Sequence, residues 1–367
     1  MHPDSPASGP EAPAAVRLRI EELLETFLAS RRALTTPLGP EYDRLADMLA
    51  DFVLGGGKRL RPLFAWSGWL AAGGPTEGPQ AEAMLRAAAA LELVQACALI
   101  HDDIIDSSDT RRGRPTVHVA VGAQHSSAGW HGDSAHFGVS VAILLGDLAL
   151  AWADDLVRES GLDAEASARI APVWAAMRTE VLGGQLLDIH SEVRGDETVT
   201  AALTVNRYKT AAYTVERPVQ LGAAAAGASP ELIDDLGAAG VDLGIAFQLR
   251  DDLLGVFGDP AVTGKPSGDD LREGKRTVLL AEALRRADSQ DRESAALIRS
   301  RIGTDLTAAQ VAGLRSVLES LGAVEAIEVR IAELTERATT RLDALAGRGA
   351  HVDLLRALAD AATSREA

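Results

Sequence analysis

Two long apolar segments, each ending in adjacent aspartates, constrain this chain more than anything else in it. Residues 80–105 and 230–257 are apolar nearly all round a helix, and they end in Asp102-Asp103-Ile-Ile-Asp106 and Asp251-Asp252-Leu-Leu-Gly255. A helix with no polar face belongs at the centre of a bundle. Carboxylates gathered at its end repel one another unless a cation lies between them. The expected molecule is therefore helical, with buried central helices that carry acidic groups to one place.

The rest of the chain agrees. Alanine and leucine dominate, two-residue alternation is scarce, and short Gly/Pro breaks separate helix-compatible stretches. Helices are expected over about 14–33, 41–54, 60–72, 80–105, 137–159, 164–193, 200–226, 230–257, 276–287, 308–321 and 323–345, with a last one from 352. No repeat of 20–50 residues is present, which argues against a solenoid. The expected architecture is all-α, one large bundle of about 12 helices over residues 14–367, after a disordered tail over 1–13 rich in Pro, Ala, Ser and Gly. That tail has no basic region followed by an apolar run, so a signal peptide is not expected there.

With 367 residues and 47% hydrophobic content, the chain has ample material for a core. The formal net charge of −17 makes a nucleic-acid partner a poor expectation. It does not exclude anionic substrates, because bound cations reverse the local field. The one cysteine, Cys97, forms neither an internal disulfide nor a thiolate metal cage, which points to a reducing cytoplasm. The apolar run at 140–152 contains Asp147 and leads into Asp154-Asp155, so it is expected to be a buried core helix rather than a membrane span. His118, His125, His131 and His136 lie among Gly and Ser over 117–137, and a solvated loop is expected there in preference to a zinc site.

The chemistry concentrates in a few motifs. Asp102 and Asp106 are four apart on one helix face, with Asp103 a hundred degrees round. Carboxylate oxygens are hard ligands suited to magnesium. Arg111 and Arg112 follow in a loop suited to phosphate. Gln248 lies a turn before Asp251 and can hydrogen-bond a metal-bound water, whereas Gly255 supplies no ligand. Lys58, Arg59 and Arg61 come directly after three glycines, without the order of a Walker motif. Lys209-Thr210 and Lys265 are further basic sites in acidic or apolar surroundings.

Taken in order, GGGKRLRP, ELVQACALIHDDIIDSSDTRRGRPTVH, AILLGDLAL, GGQLLDI, YKTAAY, FQLRDDLLGVFGD and GKPSGDDLREGKRT resemble the trans-isoprenyl diphosphate synthases, the polyprenyl synthetase family, in particular its geranylgeranyl diphosphate synthases. The resemblance implies the isoprenoid synthase type I fold, with helices around a deep central cavity, and a homodimer. It implies Mg2+, three ions per active site, held by Asp102, Asp103, Asp106, Asp251 and Asp252, with Gln248 in support. Arg111, Lys209 with Thr210, and Lys265 would contact an allylic diphosphate of C5, C10 or C15. Lys58, Arg61, Arg112 and Gln95 would bind isopentenyl diphosphate. Gly255 departs from the pattern, since an aspartate is common there.

Product length is expected to follow the depth of the cavity under the first motif. Cys97, about 7.5 Å below Asp102 along the helix, Ala98 and Val94 are none of them large plugs, and the resemblance then implies a product of C20 or longer. Farnesyl or longer-chain synthases, and a non-catalytic partner subunit, are the alternatives nearest to this reading. A class I terpene cyclase would leave the GGGKRLRP loop and Arg111-Arg112 unexplained, and a phosphohydrolase built on His101-Asp102 lacks its other ligands.

Overall fold

A computed structural model describes residues 13–111, 113–259 and 268–363. Apart from Pro13, the expected N-terminal tail lies outside the described residues, as do Arg112 and Lys265. Eleven helices lead up to the second aspartate pair: α1 (Pro13–Ser30), α2 (Arg32–Thr35), α3 (Pro40–Leu54), α4 (Leu60–Ala71), α5 (Pro79–Ile105), α6 (Val117–Ser127), α7 (Ser134–Arg158), α8 (Ala164–Arg194), α9 (Val199–Val205), α10 (Arg217–Ala225) and α11 (Pro230–Phe257). Beyond it come α12 (Asp269–Glu273), α13 (Val278–Gln290), α14 (Arg292–Arg301), α15 (Ala308–Ser320), α16 (Ala323–Gly347) and α17 (Asp353–Thr363). Among the described residues the β-structure is one two-residue hairpin, Thr110–Arg111 against Arg114–Pro115. The fold is all-α, with more helices than expected because several short ones escape a periodicity argument.

Local chemistry sets many of the boundaries. The side chains of Asp163, Thr198, Ser229 and Thr277 each accept a hydrogen bond from a backbone N–H of the helix that follows. Thr307 and Gln310 form a reciprocal capping box at α15. Such caps satisfy N–H groups that have no partner within the helix.

Two apolar clusters make the core. The larger surrounds α5, whose residues from Ala87 to Leu91 are fully buried, and includes Leu236, Ala239 and Leu243 from α11. The smaller gathers Ala246, Leu249, Leu253 and Val256 from the other half of α11 with α13, α15 and α16. Helix α11 thus belongs to both clusters, and Asp251-Asp252 lie in its second half, between Leu249 and Leu253 of the smaller cluster.

Three expectations are corrected. The stretch over 117–137 is largely helical, in α6 and the start of α7. His125 is buried, its Nε2 lies 3.1 Å from the His131 carbonyl, and its ring packs against Phe137 and Trp130. It is therefore neither solvated nor turned toward a shared metal. Glycine and serine disguised a helix that tertiary packing stabilises. Helix α14 was not anticipated, because only Ala295 and Ile298 of its ten residues are buried, and the Asp291 cap carries the signal instead.

The third correction concerns α7. By length and composition, α5 and α7 both suffice to cross a membrane. Helix α5 is enclosed by the bundle. In contrast, α7 buries one face against α5 and leaves Ile143 and Leu144 44% and 59% exposed, so it is not the buried core helix that its composition suggested. Leu182 and Leu186 of α8 are exposed as well.

Candidate active site

The site begins on α5. Glu92, Gln95, Leu99, Asp102 and Asp106 recur at intervals of three and four, so they share one face. Asp102 Oδ1 accepts a hydrogen bond from Gln185 Nε2 at 2.9 Å and lies 3.2 Å from Lys209 Nζ. Burial opposes the Asp102 charge, but Lys209 and Gln185 outweigh it and hold the carboxyl below its usual range. Burial, and then the Asp102 charge, pushes Asp106 up to about 6. The two carboxylates on this face thus differ, one held down by Lys209 and Gln185 and the other raised chiefly by its burial.

Asp103 points elsewhere. It is 1% exposed, and both its oxygens accept from Arg111 Nε, at 2.9 and 3.0 Å, with Nη2 2.7 Å from Oδ1. Arg111 stands on the first strand of the small hairpin, so its guanidinium is fixed by a carboxylate behind it while Nη2 lies 3.8 Å from Asp102 Oδ2. Burial works against the Arg111 cation, and Asp103 more than restores it.

Lys209 is placed by an irregularity. The expected continuous helix over 200–226 contains a π-helical segment, Asn206–Glu216, between α9 and α10. Wide turns of this kind are uncommon and concentrate at functional sites. Lys209 and Thr210 are on it, and Lys209 Nζ lies 2.5 Å from Asp188 Oδ2. Gly184 of α8 permits this crossing, since a Cβ there would lie 2.2 Å from the Lys209 backbone nitrogen. Burial lowers the Lys209 pKa, but Asp102, Asp188 and Asp106 raise it further, so the ammonium stays charged. Gln185 and Asp188 were not singled out in the sequence, although both belong to GGQLLDI.

On α11, Asp251 borders a cavity of about 750 Å³. Asp252 is 4% exposed and accepts from Gln248 Nε2 at 2.7 Å, so Gln248 is turned to Asp252. Burial raises the Asp252 carboxyl to about 7 despite that bond, with Asp270 and Asp251 adding to the effect. The silent position in the motif has a steric explanation. A Cβ at Gly255 would lie 1.9 Å from Asp270 Oδ2, so Asp270 of α12 puts a carboxylate beside the place where the motif lacks one. Lys275 follows, with Nζ 2.8 Å from Glu273 Oε2 and 3.8 Å from Asp270 Oδ1. Burial opposes its charge, while Asp270, Glu273 and Asp106 raise its pKa. Asp270 and Lys275 were also missed, although GKPSGDDLREGKRT contains both.

The cavity has a basic wall. Lys58, Arg61, Gln95, Arg111, Arg114 and Thr214 border it, with Phe247. Arg61 donates through Nη1 to Gln95 Oε1 and through Nη2 to Thr214 Oγ1 at 2.9 Å, and its guanidinium stacks 4.1 Å over the Tyr213 ring. This pocket and the acidic one are neighbours on the same face of α5. One can hold an anion directly, and the other is suited to an anion escorted by cations.

Below Asp102, Cys97 is buried with Sγ 3.7 Å from His101 Nδ1, and burial with the nearby Asp147 pushes its thiol up to about 12. Ala98 is partly exposed and Val94 buried.

Comparison with known proteins agrees with this layout. Residues 42–312 match the family model for polyprenyl synthetases. A geranylfarnesyl diphosphate synthase from Aeropyrum pernix is 36% identical over 81% of this chain and 86% of its own. A geranylgeranyl diphosphate synthase from Sulfolobus acidocaldarius is 36% identical over 62% and 63% of the two chains. The crystal structure of a geranylgeranyl pyrophosphate synthase from Corynebacterium glutamicum, complexed with isoprenyl diphosphate and magnesium, superimposes with a TM-score of 0.90 at 53% identity, covering 96% of this chain and 98% of that one. With its acidic and basic pockets side by side on α5 and this match over most of its length, the chain belongs to the polyprenyl synthetase family.

Proposed function

We propose that the protein condenses isopentenyl diphosphate with an allylic diphosphate, head to tail and in the trans configuration, to make geranylgeranyl diphosphate. The observation that carries this reading is the pairing on α5 of Asp102 and Asp106 with Gln95, one pole for each diphosphate. A cyclase that ionises a single diphosphate has no use for the second pole.

The carboxylates fit magnesium. Asp102, Asp106 and Asp251, with Asp270 beside Gly255, are hard oxygen donors, and burial, with the Asp102 charge second, raises the Asp106 carboxyl, a cost that a bound cation would relieve. We assign three ions to these residues. Asp103 and Asp252 serve behind them, the first by orienting Arg111 and the second by bonding Gln248. Bound magnesium would stabilise the charge that develops on a departing diphosphate.

The chain's own residues do the rest. Arg111 and Lys209 are already charged and fixed by Asp103 and Asp188, so they meet the leaving group without reorganising. Lys58, Arg61 and Gln95 hold the second diphosphate so that its double bond faces the allylic carbon. A new carbon–carbon bond forms there as the carbon–oxygen bond breaks. A proton then leaves, with the released diphosphate as acceptor. Apolar helices exclude the water that would trap the cation as an alcohol. Arg112 and Lys265 are assigned to the isopentenyl and allylic diphosphates by the resemblance alone.

We assign a C20 product on the small size of Cys97 and Ala98 below Asp102. The exposed apolar side chains of α7 and α8 suit a second copy of this chain, so we assign a homodimer. A single buried cysteine is consistent with the reducing cytoplasm.

Purified protein given isopentenyl diphosphate with C5, C10 or C15 primers should yield C20 product, and a C15 or C20 diphosphate alone should be left unchanged. Asp102→Ala should lower turnover by about a thousandfold or more with an unaltered circular-dichroism spectrum; wild-type turnover would remove the metal role. Gly255→Ala should displace Asp270 and weaken the apparent Mg2+ affinity by about tenfold, and an unchanged Mg2+ titration would refute that role for Asp270. In Cys97→Phe or Ala98→Phe the product should shorten to C15 or less, whereas an unchanged product profile in both would sink the steric account. Sedimentation should report a dimer that Leu144→Lys shifts toward monomer; a wild-type monomer would overturn the assignment.

A further inference from the structure

Between Lys58 and Arg61, which face the cavity, stands a residue with a different kind of environment. Arg59 is 4% exposed, and its backbone is left-handed, with φ 51° and ψ 38°. That conformation brings Cβ close to the following carbonyl and is unfavourable for a residue with a side chain. It persists where the surroundings over-determine it. Arg59 Nη1 donates to Glu92 Oε2 at 2.8 Å, and Arg59 Nε lies 3.5 Å from Glu21 Oε1 of α1. Glu92 is 7% exposed and lies on the α5 face that also carries Gln95, Asp102 and Asp106.

The loop before Arg59 has little stiffness of its own. It runs through three glycines, with Gly56 and Gly57 at φ 104° and 144°, conformations that glycine adopts freely. Lys58 therefore sits between a hinge and a buried anchor. Immediately after the anchor α4 begins, and its first turn presents Arg61 to Gln95, three residues beyond Glu92 on α5. One ion pair thus fixes both the exit of the loop and the register of the helix against α5.

The pair is also incompletely satisfied. Arg59 Nη2 and Glu92 Oε1 are buried without a hydrogen-bond partner among the described residues, and both residues border the cavity. A pair serving cohesion alone would be replaceable by packed apolar groups. Here it stands at the wall of a pocket for an anion, with its free N–H and free oxygen held close to that pocket.

We propose that the buried Arg59–Glu92 pair is the positioning element of the second diphosphate pocket. It holds Lys58 and Arg61 in the geometry that binds isopentenyl diphosphate, and has no part in binding the allylic diphosphate. The inference rests on the assignment of that pocket to isopentenyl diphosphate. Arg59 and Glu92 are positioning residues that act through Lys58, Arg61 and Gln95.

Steady-state kinetics with Mg2+, isopentenyl diphosphate and an allylic diphosphate test this in Arg59→Gly, Glu92→Gln and the double variant Arg59→Met/Glu92→Leu, alongside Lys58→Ala. Glycine takes the left-handed conformation without strain, and the double variant leaves no unpaired charge, so folding is protected in two independent ways. The expected result is a KM for isopentenyl diphosphate raised by about tenfold or more in each folded variant. In the Arg59 and Glu92 variants the KM for the allylic diphosphate and the kcat at saturation should stay within about threefold of wild type. If Lys58→Ala raises the isopentenyl KM and the Arg59 and Glu92 variants do not, the positioning role is overturned and the pocket assignment stands. If Lys58→Ala leaves that KM unchanged, the pocket assignment falls and the inference with it. Equal shifts in both KM values would reduce the pair to a structural contact and overturn the proposal.

Discussion

Like charges brought to one end of an apolar bundle are the constraint around which this molecule is arranged. Asp102, Asp106, Asp188, Asp251, Asp252 and Asp270 come from four helices, and burial makes their repulsion costly. Lys209, Arg111 and Lys275 answer part of that charge, and each is tied to a carboxylate. Burial, with neighbouring carboxylates adding to it, raises the Asp106 and Asp252 carboxyls. A site with unbalanced negative charge and prefixed cations is ready for a ligand that brings both metal and anion. The surrounding helices are largely the means of holding those groups together against their repulsion.

Much of this was legible in the sequence, because apolar periodicity and acidic helix ends are local signals. The ranges of α3, α5, α8 and α11 came within a few residues, and the Asp-rich ends were in plain view. What could not be read were relations across the fold. Nothing near Asp103 reveals that its oxygens are taken by Arg111. Nothing near Gly255 tells that a carboxylate from α12 occupies the space of its missing side chain. In both cases the partner lies on another element, and only packing brings the two together. The same holds for α7, whose composition suggests a core helix although Ile143 and Leu144 are exposed.

The two poles are built by different means. The acidic pole depends on close helix crossings, with Gly184 admitting Lys209. The basic pole depends on a loop, and a loop gains precision only from anchors. This division makes chemical sense for a reaction in which one substrate must lose its diphosphate while the other retains it. The first needs a field that strengthens as charge develops, whereas the second needs a grip that remains the same before and after the bond forms.

The π-helical segment makes chain register itself a functional quantity. Over Asn206–Glu216 the backbone winds more loosely than an α-helix, and Lys209 meets Asp102 and Asp188 only because of that phase. Removing a single residue between Val199 and Lys209 would leave composition and hydrophobicity almost unchanged, yet would turn everything before the deletion by about a hundred degrees relative to Lys209. Such an enzyme could be silenced without altering any residue that touches substrate. Its evolutionary record should therefore show this stretch accepting substitutions far more readily than changes in length.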